Sequence, residues 1–463
     1  MLKTINPDIF RESDIRGVVE SDLTPEFVEK IGKAIGTMLR RSGGKTLTLG
    51  RDVRPSSSMI REVLAKGILS TGCHIIDVGV VPTPVSYYSQ HHFKTDGGVM
   101  VTGSHNPSEF NGFKISIGQN SIYGDKIKEL HRQILEKDFV LGNGQLETRE
   151  IKEAYIKSIC DKIQISKPIK MVVDGGNGCF GLVGSELLWR LGLEPNELYC
   201  EPDGEFPNHH PDPTTEKNLK DLRTRVKEVN ADVGIGFDGD VDRIGVIDDQ
   251  GNIVWGDQLL ILFARHILSK HPGATIIGEV KCSQNLFNDI KEKGGVPVMS
   301  AAGHSLIKNK MRETGALLAG EMSGHIFFAD EYFGFDDAIY AACRLLQILD
   351  QSERKLSELL VDLPKTFYTP EIRIDCPDQQ KFKIVDELGS YFKKRFEVND
   401  TDGLRISFPD GWALIRASNT QPVLVLRFEA KSENRLKEFQ EFVVDKLRQY
   451  DCIENLQLNQ INS

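Results

Sequence analysis

Three times along this chain an apolar, strand-like segment runs into a turn and then into an amphipathic helix. That repeated rhythm restricts the fold to α/β units built on parallel strands. In the first unit Thr24-Pro25 reads as N-cap and first helical position, and an amphipathic stretch at 27–41 stops at Gly43-Gly44. A strand at 46–50, a helix at 58–70 and strands at 75–78 and 98–102 follow. The rhythm restarts with a strand at 170–173, the glycine-rich turn 174–178 and a helix through 191. A further strand at 233–237 ends in an acidic turn. It restarts again with a helix at 257–268, strands near 276–280 and 315–319, and a helix at 337–349. Beyond Pro364 the texture changes to closely spaced strands (371–375, 403–408, 412–416, 423–429) and a last helix at 433–450. The expectation is four domains: α/β domains at 1–150, 151–253 and 254–366, and a smaller α+β domain at 367–463.

Composition narrows the class further. Asp and Glu (67) outnumber Lys and Arg (57), a formal net charge of −10. Nucleic acid is therefore not an expected partner, and an anionic ligand would need cations gathered at one place. The longest uninterrupted apolar run, 259–264, is far short of the roughly 18 residues of a membrane span. Residues 1–7 have no apolar stretch of the secretory type. Eight scattered cysteines with no C-x-x-C pair argue against a zinc site or disulfide framework and lead us to expect a cytoplasmic protein. No obligate protein partner is evident.

Four loops carry chemistry. In Thr102-Gly103-Ser104-His105-Asn106-Pro107, a serine just past a strand end can present its hydroxyl to a cleft, with Lys114 ten residues on to offset charge or move a proton. The competing reading is a turn in which Ser104 caps backbone amides. In Asp238-Gly239-Asp240-Val241-Asp242-Arg243, three alternating carboxylates can converge on one hard cation. An EF-hand would need Gly where Arg243 stands and Glu where Asp249 stands. An aspartyl-phosphate hydrolase with Asp238 as nucleophile, or a solvated acidic turn, are the other readings. In Gly320-Glu321-Met322-Ser323-Gly324-His325, Glu321 and Ser323, two apart on an extended segment, would face one way and suit adjacent sugar hydroxyls, while His325 could move a proton. Lys281 and His304 stand in similar loops. Arg416-Ala417-Ser418-Asn419-Thr420-Gln421-Pro422 combines a guanidinium, hydroxyls and an amide in one turn, a phosphate cradle or simply a polar hairpin. Near the N-terminus, Asp14-Ile15-Arg16-Gly17 adds one more arginine.

Together these loops resemble the α-D-phosphohexomutase family, most of all its bacterial phosphomannomutase/phosphoglucomutase branch. The resemblance spans essentially the whole chain, with DIRG, TGSHNP, DGDVDR, GEMSGH and RASNTQP in family order. It implies four domains around a central cleft, three similar α/β domains with mixed sheets plus a smaller C-terminal domain, each giving one loop. It also implies a hexose 1-phosphate/6-phosphate mutase working through phosphoserine and a hexose 1,6-bisphosphate. Ser104 would be the phosphoserine, holding Mg²⁺ together with Asp238, Asp240 and Asp242. Arg16 and Lys114 would flank the transferring group as electrostatic or proton-transfer residues, and Arg243 would lie beside the metal loop. Glu321 and Ser323 would bind sugar hydroxyls, with Lys281, His304 and His325 lining the sugar site. Arg416, Ser418, Asn419 and Thr420 would hold the existing phosphate, and glucose 1,6-bisphosphate would act as activator.

Two positions depart from the family pattern: Ser13 stands where tyrosine is common, and Gln421 where glutamate is. Phosphoglucosamine mutase is the nearest alternative, with a polar residue expected where this chain has Met322. A sugar phosphatase and a non-catalytic sugar-phosphate-binding protein are the others.

Overall fold

The computed structural model describes residues 6–418 and 422–453. Its strands form four sheets. In the first, the parallel strands His74–Val80, Thr46–Arg51 and Gly97–Val101 lie side by side. Phe110–Ile117 returns antiparallel to Gly97–Val101, and Ile15–Val18 pairs antiparallel beyond it. The second sheet repeats the plan: Asn196–Leu198, Met171–Asp174 and Val233–Phe237 are parallel, and Ile244–Asp248 returns antiparallel. The third is shorter, with Val296–Ser300, Thr275–Glu279 and Leu318–Gly320 parallel and Ile326–Phe328 antiparallel. The fourth is antiparallel throughout, with Gly411–Ala417 hairpinned onto Val423–Ala430.

This plan corrects the simple strand–helix reading in one respect that matters for function. The loops at 102–109, 238–243 and 321–325 do not lead into helices; each joins the last parallel strand of its sheet to an antiparallel return strand. A strand that turns back on itself must expose a tight loop at its end. Three sheets of one design therefore deliver three such loops.

Most helices form where their apolar spacing indicates: Pro25–Arg41 buries Val28, Ile31, Ile35 and Leu39 on one face. Thr24 stands at its N-cap in extended backbone without a side-chain capping bond. Two elements differ from expectation. After the glycine-rich turn a short 3₁₀ turn, Phe180–Leu182, precedes the seven-residue helix Gly184–Arg190, because Val183 is not helical. Gly315 belongs to no strand; its left-handed backbone (φ 66°) ends the helix His304–Thr314, and the strand begins at Leu318.

One apolar core runs without interruption through the second and third sheets and the near face of the first. Another fills the rest of the first unit, and a third belongs to the fourth sheet alone.

Candidate active site

The four sheets surround a cavity of about 870 Å³, lined by residues from all four. At its floor stands Ser104, in a left-handed conformation (φ 51°) and only 2% exposed. Its N–H donates to Thr102 Oγ1 at 2.8 Å. Its hydroxyl donates to Asp238 Oδ2 at 3.0 Å and lies 3.0 Å from His105 Nδ1. The side chain therefore faces the acidic loop and is not spent capping a turn. Burial and the guanidinium of Arg243 hold the His105 imidazole well below its usual range, so it is neutral.

A buried guanidinium shapes this loop. Arg54 donates to the carbonyls of Ser104 (2.8 Å), Asn106 (2.5 Å), Phe110 (3.1 Å) and Pro107. Asp52 orients it at 3.1 Å and also accepts from Gly103 N–H. A Cβ on Gly103 would lie 2.6 Å from the Arg54 guanidinium, so only glycine fits there. Gly239 is constrained likewise, its Cβ position 2.6 Å from Ser104 O. The glycine-rich turn at 174–178 does not line the cavity; it supports the acidic loop from behind, where Cys179 N–H donates to Gly239 O.

Asp238, Asp240 and Asp242 are fully buried and bring one oxygen each within 4.8 Å of the others. Asp238 Oδ1 accepts from the N–H groups of Asp242 (2.9 Å) and Arg243 (3.1 Å). Both its oxygens are thus engaged, which disfavours Asp238 as a nucleophile, and flanking strands rule out an EF-hand. Asp240 Oδ2 accepts from Thr83 Oγ1 (2.6 Å) and Lys114 Nζ (2.7 Å), and Lys114 also contacts Asp242. Burial and the neighbouring carboxylates push Asp238 well above the usual carboxylate range. Asp240 lies below it, because Lys114 and Thr83 outweigh the cost of burial. Lys114 rises well above its ordinary value, as the two aspartates overcome burial. Asp240 Oδ1 and Asp242 Oδ1 have no hydrogen-bond partner although they are buried. An all-oxygen set with orphaned acceptors fits a hard divalent cation.

Around the cavity wall, Arg16 bonds Asn106 Oδ1 and Asp14 Oδ2, each at 2.6 Å. Arg243 Nε donates to His325 Nε2 at 2.9 Å. The 321–325 segment is not extended: Gly324 N–H donates to Glu321 O and Glu321 N–H to His325 O, closing a tight turn. The expected alternation of Glu321 and Ser323 therefore fails, yet the turn still brings both to the cavity. Glu321 Oε1 accepts from Gly303 N–H at 2.6 Å, tying it to the loop that carries His304. His304 stacks on His325 with ring centres 5.7 Å apart. Burial and Lys308 hold His304 well below its usual range. Lys281 lies 3.4 Å from Glu371, whose carboxyl sits at about 2, because Lys281 and Arg373 outweigh burial. On the fourth sheet Arg416 pairs with Asp402 at 3.0 Å, and Ser418 N–H donates to Val423 O. Asn419, Thr420 and Gln421 lie outside the described residues.

Arg54, Thr83, Asp336 and Glu371 were not foreseen. Only Asp52-Val53-Arg54 carried a signal, its place just after a parallel strand.

A cleft built by three like α/β units and one antiparallel unit, with a serine set against three buried aspartates, defines the α-D-phosphohexomutase class. Family profiles for phosphoglucomutase/phosphomannomutase match in chain order: alpha/beta/alpha domain I over residues 7–140, domain II over 153–251, domain III over 255–367 and the C-terminal domain over 371–446. A phosphomannomutase/phosphoglucomutase of Pseudomonas aeruginosa is 46% identical over 97% of both chains. A phosphoglucomutase of Neisseria gonorrhoeae is 43% identical, covering 95% of this chain and 96% of its own. The crystal structure of a Burkholderia thailandensis phosphoglucomutase/phosphomannomutase family protein superposes with a TM-score of 0.91 at 42% identity, covering 96% of this chain and 98% of that one. The chain belongs to the phosphoglucomutase/phosphomannomutase family.

Proposed function

We propose that this enzyme interconverts hexose 1-phosphates and hexose 6-phosphates, of mannose and glucose, through a phosphoserine at Ser104 and a hexose 1,6-bisphosphate. Family membership over the whole chain supports the mutase class. The observation that carries the mechanism is Ser104: its hydroxyl stands at the cavity floor, 3.0 Å from a buried three-carboxylate cluster.

The two oxygens of the sugar that exchange phosphate are too far apart for one transfer. In the first half, the free sugar hydroxyl attacks phosphorus on phosphoserine, the bond from phosphorus to Ser104 Oγ breaks, and the hydroxyl proton passes to a base. The bisphosphate then turns end for end. In the second half, Ser104 Oγ attacks the other phosphorus, the bond from that phosphorus to the sugar oxygen breaks, and the oxygen takes the proton back from the base. Such transfers depend on alignment and charge neutralisation. Mg²⁺ held by Asp238, Asp240 and Asp242 would neutralise charge on the transferring group. Arg16 and Lys114 add fixed positive charge beside it. Of the candidate bases, Arg16 is always charged, and Lys114 is bonded to two carboxylates. That leaves His325, whose Nε2 already accepts a hydrogen bond.

Glu321 and Ser323 read sugar hydroxyls common to glucose and mannose, with Lys281 and His304 beside them. Arg416 and Ser418 line the cavity, and with Asn419 and Thr420 of the same sequence motif they would cradle the phosphate that is not reacting. That cradle supports the mutase over the phosphatase, which need not retain a second phosphate. Glucose 1,6-bisphosphate would prime the enzyme by phosphorylating Ser104. The domain limits that go with this reading lie near 150, 253 and 366, and the family matches support them. All eight cysteines are unpaired, which supports a cytoplasmic site of action. Among the described residues no helix is long and apolar enough to cross a membrane.

The test is to incubate the protein with glucose 1,6-bisphosphate and Mg²⁺ and map phosphate by peptide mass spectrometry. Phosphate on Ser104 is expected; phosphate on another residue, or none, would overturn the phosphoserine reading.

A further inference from the structure

Two successive backbone N–H groups of the third unit point at carboxylates of different units. They lie between the strand Val296–Ser300 and the helix His304–Thr314. Ala302 N–H donates to Asp402 Oδ2 at 3.1 Å, and Gly303 N–H to Glu321 Oε1 at 2.6 Å. Ala302, Gly303 and Glu321 line the cavity; Asp402, from the fourth unit, does not. It stands in the turn between Glu397–Asn399 and Leu404–Phe408. The same Oδ2 forms an ion pair with Arg416 Nη2 at 3.0 Å, and both side chains are largely buried. One carboxylate oxygen therefore faces both the guanidinium of its own unit and the backbone of the next.

The turn is shaped to bring them together. Gly403 has left-handed backbone (φ 80°), and a Cβ there would lie 2.4 Å from Ile415 O and 2.6 Å from Arg416 Cβ. Only glycine lets the turn press this closely on the strand that carries Arg416. Arg416 Nε is buried and has no hydrogen-bond partner, so the chain itself leaves that donor unspent.

We propose that Asp402 is a positioning residue: it aims Arg416 into the cavity while the fourth unit is seated on the third, so that docking and grip on phosphate come together. The proposal rests on the reading of Arg416 as a phosphate-binding residue. Seating sets Asp402 against Ala302 N–H, and the ion pair then holds the long Arg416 side chain in one place before ligand arrives. With the fourth unit lifted, carboxylate and guanidinium move together without that fixed point. Because Gly303 ties the same stretch of backbone to Glu321, the phosphate at Arg416 and the sugar hydroxyls at Glu321 are set in one register.

The experiment has two arms. Kinetics on glucose 1-phosphate, with Mg²⁺ and glucose 1,6-bisphosphate, compares wild type, Asp402→Ala, Arg416→Ala and the double variant. Asp402→Ala should raise KM about 10–100-fold, the equivalent of one charge-assisted bond to phosphate, with kcat within about threefold. In the Arg416→Ala background it should raise KM no further. Asp402→Asn, which keeps an acceptor for Ala302 N–H but no charge for Arg416, should fall between. Hydrogen exchange read by mass spectrometry is independent of activity: the peptide containing Ala302 should exchange faster in Asp402→Ala than in wild type or Asp402→Asn. A wild-type KM in Asp402→Ala overturns the proposal, as do losses that multiply in the double variant or unchanged exchange at Ala302. A wild-type KM in Arg416→Ala overturns the phosphate reading itself, and this proposal with it. Should Asp402→Ala fail to fold, Asp402→Asn carries the same judgement in both kinetic backgrounds.

Discussion

The junction between the second and third units and the junction between the third and fourth are built on opposite principles. At the first, one apolar core crosses the boundary, and the two units are stitched together through backbone: Ile244 N–H donates to Gly324 O at 3.1 Å and Ala338 N–H to Val241 O at 3.3 Å. At the second, the apolar contact shrinks to Val280, Trp412 and Leu414, with Met299 against them. The remainder is polar. Arg405, stacked 3.8 Å from the Trp412 ring, donates to the carbonyls of Val280 (2.5 Å) and Cys282 (2.8 Å). Glu429 accepts from Gln284 N–H and Trp412 Nε1, and Lys281 faces Glu371. Such bonds to charged groups can be exchanged for water at about 1.5–3 kcal/mol each, one at a time, whereas opening a shared core cannot be done cheaply. The first three units therefore make a rigid frame that holds serine, acidic cluster and histidines in register. The fourth is an arm held by exchangeable contacts, and the proposed mechanism requires it to close on a phosphate and to open for the bisphosphate to turn.

The largest effect should come from inside the frame. Ser104→Ala should reduce kcat by at least on the order of 10⁴-fold while Mg²⁺-dependent sugar-phosphate binding by calorimetry stays near wild type. An active variant would place the nucleophile elsewhere. Next, Arg54→Ala leaves four carbonyls and Asp52 without their buried partner. It should lower stability by about 3–5 kcal/mol in denaturant unfolding and disorder the Ser104 loop; an unchanged midpoint would contradict the frame. The third effect lies at the arm. Glu371 has its carboxyl depressed to about 2, below its unfolded value near 4.3. It contributes stability that is complete above pH 4.3 and lost as the pH falls towards 2. The contribution is about 2–3 kcal/mol, so Glu371→Gln should flatten the acid limb of the unfolding profile without touching stability at pH 3 and below as strongly. The smallest effect should be that of Arg405→Ala. It should raise KM about tenfold, or 1.4 kcal/mol, with kcat nearly kept, and widen the scattering envelope. Equal losses in kcat and KM would mean that the arm is part of the frame.

How much could be read in advance follows from the same division. Strands buried on both faces, such as Val233–Phe237, announce themselves as unbroken apolar runs. Two of the return strands do not: Phe110–Ile117 carries Asn111, Lys114 and Ser116 among its apolar residues, and Ile326–Phe328 is three residues long. The polar residues of the first, with Lys114 at the cavity, break the pattern by which strands are recognised, and the second is too short to show one. The motif residues were legible because each loop keeps its chemistry within six or seven positions. The supports were not, because they arrive through tertiary contact: Arg54 reaches Ser104 across 50 residues, and Thr83 reaches Asp240 across 157. Asp336 reads as one more acidic turn residue until the fold sets it behind His325. The hydroxyl and carboxylate of the 321–325 loop were assigned to the right cavity for the wrong reason, since a turn and not an extended strand brings them there.

The central claim is that phosphate leaves one end of a hexose and reappears at the other by way of Ser104. A phosphorus NMR time course on mannose 1-phosphate, with Mg²⁺ and a trace of glucose 1,6-bisphosphate, tests it directly. The account predicts that mannose 6-phosphate accumulates to equilibrium without free phosphate, and that Ser104→Ala shows no conversion. Release of inorganic phosphate alone, or conversion that survives Ser104→Ala, would contradict it.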